Sequence, residues 1–147
     1  MKFSFCIRKL SLLSPKYLKE ILVPLTLGTN NGSMMCRRIN LFLKGFENKD
    51  IAILVHNKDK EVIAWSLTYD VEYDKNTKVM LFVHPKYRKK GIGKKLLNKT
   101  FKYLKSKGHE IVYVAPWDRK SKNFYSKIKK CYWVSDRDCT FSKKVFL

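Results

Sequence analysis

Residues 79–97 read VMLFVHPKYRKKGIGKKLL, and this stretch decides the expected fold. It begins with an unbroken apolar run at 79–83, which is typical of a central strand covered on both faces. A histidine and a proline end that run. From Ile92 onward, apolar residues recur at helical spacing with lysines opposite them, and Gly108 is well placed to end the helix. The stretch therefore predicts a strand, a basic turn and a helix over 91–107.

The turn between this strand and this helix has the composition of an anion-binding site. Glycine at positions 91 and 93 lets the backbone approach a ligand without a Cβ in the way. A helix start also presents unpaired N–H groups and the positive end of its dipole, which favour phosphate. Six cations lie within ten residues of sequence: Lys86, Arg88, Lys89, Lys90, Lys94 and Lys95. The turn suits a pyrophosphate, although it matches neither the Walker loop nor the three-glycine dinucleotide fingerprint.

Outward from this unit, the chain alternates between strand-like and helix-like segments. Strands are predicted at 2–10, 51–55, 62–69, 111–115, 132–134 and 139–147, with a hairpin turn at 57–60. Helices are predicted from Ser14 to near Pro24, over 35–46 and over 119–130. This order predicts an α/β (α+β) fold, with a mixed, mostly antiparallel central sheet flanked by helices. We expect residues 1–147 to form a single domain.

Residues 83–97 resemble the cofactor motif of the GNAT acyltransferase superfamily. That motif is an apolar strand, often ending Val-x-Pro, followed by [Arg/Gln]-x-x-Gly-x-[Gly/Ala] and a helix. Here Val83, Pro85, Arg88, Gly91 and Gly93 occupy its positions. Because strand, proline, glycine spacing and helix agree together, the match implies a GNAT-like fold and acyltransferase activity.

A second GNAT motif, Asn-x-x-Ala-x-x-Phe-Tyr, resembles the sequence that follows. Its last two positions are occupied by Phe124 and Tyr125, while Asp118 and Ser121 stand in the places of its asparagine and alanine. The resemblance is clear over residues 78–130 and topological before them.

The resemblance implies that acetyl-CoA, or another acyl-CoA, is the acyl donor. The amides of the turn would bind its pyrophosphate, and the edge of the preceding strand would hydrogen-bond the pantetheine arm. A backbone N–H near Phe82 or Val83 would polarise the thioester carbonyl. The residues implied in cofactor binding are Leu81, Phe82, Val83, Arg88, Lys89, Lys90, Gly91, Ile92, Gly93, Lys94 and Asn123.

Two residues are predicted to be catalytic by the same resemblance. Tyr125 would protonate the leaving thiolate; the alternative is packing in the core beside Phe124. Some relatives deprotonate the amine with a glutamate at the start of the central strand, where this chain has Thr77. Glu72, Asp70 and Asp74 lie just upstream as possible replacements, and Glu72 is the candidate base. The alternatives are a solvated turn at 70–76 and deprotonation through water.

The charge of the chain bears on the acceptor. There are 32 Lys and Arg residues against 12 Asp and Glu, a net charge of +20, which attracts nucleic acid, ribosomes or acidic proteins. An AT-rich coding sequence would also raise the lysine count. Aromatics at Trp117, Tyr132 and Trp133 interleave with cations, as in nucleic-acid sites. We therefore expect an acceptor amine on a macromolecule of acidic or nucleic-acid character; the alternatives are a small-amine acetyltransferase and a catalytically silent nucleic-acid-binding protein.

Other site classes find little support in the sequence. The four cysteines form no C-x-x-C pair and have no histidine at zinc-like spacing, so no metal site is expected. The brief apolar start ends at Arg8, and no run approaches the roughly 20 apolar residues of a membrane span. We expect a cytoplasmic protein with no membrane partner.

Overall fold

The computed structural model describes residues 2–9, 51–71, 76–114, 124–125, 127, 131–135 and 141–147. The strands in these residues are β1 (Ser4–Lys9), β2 (Ile51–His56), β3 (Val62–Val71), β4 (Asn76–Val83), β5 (Ile111–Val114), β6 (Cys131–Ser135) and β7 (Phe141–Phe146). A 3-10 turn (Pro85–Tyr87) and helix α1 (Ile92–Ser106) follow β4. The helices predicted at 14–24 and 35–46 lie outside the described residues. So does most of the helix at 119–130, of which Phe124 and Tyr125 are described and helical.

The strands form one sheet in the order β1-β2-β3-β4-β5-β7-β6. Neighbours are antiparallel except β4 and β5, which are parallel and joined through α1. A parallel pair needs such a crossover, whereas the antiparallel β2 and β3 need only a tight turn. This arrangement confirms the predicted mixed, mostly antiparallel sheet.

Helix α1 covers one face of the sheet. Its side chains Ile92 and Leu96 pack with alternate residues of β2, including Ile51, Ile53 and Val55. Further along the helix, Leu97 and Leu104 pack in a second cluster with Val79, Val112, Val114, Tyr125 and Val145. The apolar stripe read from the sequence is therefore the buried side of α1. One polar pair joins helix to sheet, with the hydroxyls of Ser66 and Thr100 2.8 Å apart and buried.

The opposite face of the sheet is also buried. Trp65 and Leu67 of β3 are fully buried, and the Trp65 ring stacks on Phe82 of β4 with centroids 5.7 Å apart. Since Val79 of β4 is buried on the α1 side, this strand is covered on both faces. That is the environment predicted from its continuous apolar sequence.

Candidate active site

The basic turn is anchored at its start by backbone and side-chain hydrogen bonds. The amide of His84 donates to the carbonyl of Ile63 on β3, at 2.9 Å. The Nδ1 atom of His84 accepts from the amide of Lys86, at 3.2 Å. Partial burial, and then the charges of Lys86 and Arg88, lower the pKa of His84 below its usual value. The neutral imidazole that results can act as this acceptor.

Left-handed residues shape the next part of the turn. Lys89 has a φ of 59° and Gly91 a φ of 78°. Turns of this kind can direct successive backbone N–H groups into one concavity that holds an anion. Gly91 is the N-cap of α1 and makes no side-chain capping hydrogen bond. No N-cap side chain therefore satisfies the first amides of the helix.

The amides at the start of α1 are donors without a described protein acceptor. The first backbone bond that the helix start makes runs from the amide of Lys95 to the carbonyl of Gly91, at 3.1 Å. Within the residues the structure describes, the amides of 89–94 have no such partner. The first turn also contains no acidic residue that could occupy this position. These donors and the positive end of the dipole face an exposed surface carrying Arg88, Lys89 and Lys90.

Gly93 is the point where three parts of the site converge. A Cβ at this position would lie 3.4 Å from Cζ of Phe124 and 3.6 Å from Cγ2 of Val83. These are ordinary van der Waals distances, so the helix start lies directly against the end of β4 and the Phe124 ring. The first glycine of the turn, Gly91, is favoured by its positive φ.

The left-handed backbone of Lys89 gives a testable stability prediction. A side chain costs about 1–2 kcal/mol in this conformation, and glycine removes that cost. We expect Lys89→Gly to raise the free energy of unfolding by about 0.5–1 kcal/mol, measured by urea denaturation. Lys90→Gly is the matched control, because Lys90 has no positive φ. It should be destabilising instead, and a similar effect of both substitutions would contradict strain at Lys89.

The strand before the turn has one backbone edge directed away from β3. Because the His84 amide bonds to β3 and backbone groups alternate along a strand, those of Leu81 and Val83 face the β5 side. The described pairing of β4 with β5 ends at Val79 opposite Val114. The last residues of β4 thus extend past the described part of β5. Of the two amides considered from the sequence, the Val83 amide is the one directed to this side, while the Phe82 amide faces β3.

Arg88 occupies the end of this edge. Its Nε donates to the carbonyl of Val83 at 2.8 Å. Its guanidinium carbon also lies 5.8 Å from the centre of the Phe82 ring. The sequence places Arg88 in the turn but contains no signal that its side chain returns to β4.

Tyr87 supports the turn from the side of the hairpin, a role that sequence analysis missed. Its hydroxyl accepts from Nδ2 of Asn57, at 3.3 Å, and its ring makes an edge contact with Phe3 at 6.3 Å. Nζ of Lys90 lies 5.8 Å from the centre of the same ring. The sequence contains no signal for this supporting role of Tyr87, because its partners Phe3 and Asn57 are distant along the chain.

Tyr125 lies in the core rather than on the surface. Its side chain is 2% exposed, packs in the cluster that contains Val79 and Leu97, and meets the Phe124 ring at 5.2 Å. Burial raises the pKa of Tyr125 far above its usual value, so the phenol stays protonated. Its buried position beside Val79 of β4 is compatible with both roles considered from the sequence, proton donation and packing in the core.

Thr77, where some relatives have a glutamate, is buried at the start of β4. Its hydroxyl is 3.2 Å from Nδ1 of His109. A threonine hydroxyl does not act as a base at neutral pH, so Thr77 cannot replace a carboxylate. The candidate base Glu72 and the cofactor candidate Asn123 lie outside the described residues.

The chain matches the acetyltransferase (GNAT) family over residues 26–129. It belongs to this family. The match includes the strand, the turn, helix α1 and the segment that carries Tyr125. As a GNAT N-acetyltransferase, the protein is an enzyme that uses acetyl-CoA or another acyl-CoA as its acyl donor.

Solved GNAT structures have the same fold over nearly the whole chain. The fold is similar to that of a GNAT acetyltransferase from Staphylococcus aureus Mu50, at 16% identity and a TM-score of 0.74 with 99% of each chain covered. The PaiA N-acetyltransferase from Thermoplasma acidophilum, in complex with coenzyme A, gives 17% identity and a TM-score of 0.61, covering 98% of this chain and 99% of its own. Escherichia coli ElaA gives 17% identity and a TM-score of 0.71, covering 98% of this chain and 99% of its own. No curated protein sequence matches the chain.

The residues present fit the donor that the GNAT family uses. A pyrophosphate needs several N–H donors, and 89–94 supply a run of them at an exposed helix start. A pantetheine arm needs a strand edge with outward N–H and C=O groups. The N–H and C=O of Leu81 and the N–H of Val83 are directed this way, while the Val83 carbonyl already accepts from Arg88. Within the described residues no group of three or more His, Cys, Asp or Glu could hold a metal ion. In the same part of the chain, no helix is long and apolar enough to cross a bilayer.

Proposed function

We propose that this GNAT enzyme transfers an acetyl group to an amine carried by a macromolecule of acidic or nucleic-acid character. The observation that carries the choice of acceptor is the charge around the site. Residues 76–109, which contain β4, the turn and α1, include eleven lysines and arginines and no acidic residue. Such a surface raises the local concentration of polyanions and repels cationic small amines.

The proposed cofactor site comprises the helix start and the β4 edge. The amides of Lys89 to Lys94 would hold the pyrophosphate, with Arg88 and the neighbouring lysines balancing its charge. The backbone N–H and C=O of Leu81 would bind the pantetheine arm as an added strand. When bound, acetyl-CoA supplies an acyl group activated as a thioester. Asn123 is proposed as a further contact on the polar side of its helix.

The proposed proton transfers involve two side chains. The phenol of Tyr125, which is protonated at neutral pH, would donate its proton to the departing sulfur. The Val83 amide orients the thioester carbonyl and stabilises negative charge on its oxygen. Glu72, just upstream of β4, is proposed to take the proton from the attacking amine, because Thr77 cannot.

The acceptor class can be tested with labelled donor. The enzyme is incubated with [¹⁴C]acetyl-CoA and separate pools of tRNA, duplex DNA, cellular protein and small amines. We expect label in a macromolecular pool, with initial rates that fall steeply between 50 and 200 mM salt, because polyanion binding depends on salt in this range. Label confined to small amines at every salt concentration would contradict the proposed acceptor, and heat-inactivated enzyme provides the background.

A further inference from the structure

Helix α1 presents a continuous row of lysines to solvent beyond the cofactor turn. Lys95, Lys99, Lys102 and Lys105 are all exposed and follow one another at three- and four-residue spacing. Residues at this spacing are neighbours on one helix face. With a rise of about 1.5 Å per residue, the row is about 15 Å long. Lys99 lies about 9 Å and Lys105 about 18 Å along the helix axis from Gly93, which places them beyond the turn that binds the pyrophosphate.

This row weakens the isolated helix. Like charges three or four residues apart destabilise a helix by about 0.2–0.5 kcal/mol per pair, and lysine in its first turn opposes the dipole. A solvated helix can instead carry charges of alternating sign. Alternating charges do occur elsewhere in this chain, in the hairpin turn, where Asp59 and Glu61 lie beside Lys58 and Lys60. The lysine row of α1 has no such acidic neighbours along its sequence.

The edge strand β1 extends the row into a surface. The ring of Phe5 lies beneath two of the lysines, 5.7 Å from Nζ of Lys95 and 5.1 Å from Nζ of Lys99. Ile7, two residues further along β1, is 45% exposed. We call Phe5, Ile7 and the four lysines Lys95, Lys99, Lys102 and Lys105 the α1–β1 surface. It combines regularly spaced cations with an apolar floor.

We propose that the α1–β1 surface docks the phosphate backbone of a nucleic acid, and so identifies the acceptor class of the proposed function on which it rests. Interfaces with proteins favour arginine and aromatic anchors and are depleted in lysine. The cations of α1 are all lysines. Lysine acts as a flexible point charge and lacks the planar fork with which arginine binds a carboxylate in two places. The surface therefore favours sequence-independent contact with phosphates over recognition of an acidic protein.

The test compares two double variants by fluorescence anisotropy with a labelled 20-base-pair duplex. Lys99→Gln with Lys102→Gln removes two central charges of the surface. Lys58→Gln with Lys60→Asn removes two exposed lysines of the hairpin turn and is the matched control, asparagine being suited to the left-handed φ of Lys60. For the α1 variant, we expect the slope of log Kobs against log salt to become smaller by about 2, and affinity at 0.1 M salt to fall roughly 50-fold. The control should change neither by more than a few-fold.

Three outcomes would overturn the proposal. The first is an unchanged salt slope in the α1 variant, and the second is an equal loss of affinity in the control. The third is tighter binding of wild-type protein to poly-glutamate than to the duplex at equal salt, which would indicate an acidic protein. Acetyl-CoA binding and acetylation of a small test amine by the α1 variant should match wild type, because Lys99 and Lys102 lie outside the cofactor site. Duplex binding without label in any nucleic-acid pool would leave the docking surface intact and remove the proposed acceptor.

Discussion

Gly91→Glu is expected to raise the Kd for acetyl-CoA more than 100-fold, as measured by isothermal titration calorimetry. The new carboxylate would stand at the N-cap of α1, beside the amides proposed to hold the pyrophosphate. Two like charges about 4–5 Å apart near a protein surface repel by about 3–4 kcal/mol, which corresponds to a change in Kd of more than two orders of magnitude. Gly91→Asn should bind within a few-fold of wild type, because asparagine is neutral and tolerates a positive φ.

Helix α1 provides a matched control at its other end. Gly108 has a φ of 90° and, like Gly91, nothing within 4 Å of an added Cβ. Gly108→Glu therefore introduces the same side chain at a similar backbone cost of about 1–2 kcal/mol. Both variants should lose stability, while only Gly91→Glu should lose cofactor affinity. Equal affinity in the two variants would show that the turn is not the pyrophosphate site.

Tyr125→Phe is expected to lower kcat about 100-fold while leaving the Kd for acetyl-CoA unchanged. General acid catalysis contributes roughly 10²–10⁴-fold, and phenylalanine keeps the packing of the ring while removing its proton. Steady-state kinetics and calorimetry on the same preparation separate the two effects. Tyr103→Phe is the control, because Tyr103 is half-buried on α1 and packs against both core clusters. If Tyr125→Phe retains wild-type turnover, Tyr125 serves only the core.

The raised pKa of Tyr125 adds a pH-dependent signature to this variant. The unfolded phenol titrates near pH 10, whereas burial keeps the native phenol protonated well above that pH. Its contribution to stability is therefore fully present below about pH 10 and is lost as pH rises toward the native pKa. Relative to Tyr125→Phe, the wild type should lose up to about 1.4 kcal/mol of unfolding free energy per pH unit above pH 10. Parallel stability curves up to pH 11 would contradict the burial of an intact phenol.

The strand, turn and helix that carry the proposed cofactor site could be predicted from residues close together in the sequence. The apolar run predicts the strand, the glycines predict the turn, and the apolar residues with lysines opposite them predict α1. Each of these signals lies within a few neighbouring residues. The strand bounds were less accurate: β3 reaches Val71 and β4 begins at Asn76, inside a stretch interpreted as a polar turn. Asp70 pairs with Thr77, and Val71 with Asn76. The hydrogen bonds between paired strands join backbone groups, so polar side chains do not prevent β3 and β4 from extending into this stretch.

By itself, the sequence determined the fold class, the GNAT resemblance and the position of the basic turn, because each depends on local backbone preferences and short-range periodicity. Only the tertiary structure decided which edge of β4 is open to a ligand, since that depends on its register with β3 through His84 and Ile63. It also placed Phe124 against Gly93 and buried Tyr125 beside Val79. These contacts join segments more than 30 residues apart, and their geometry follows from how the sheet and α1 pack.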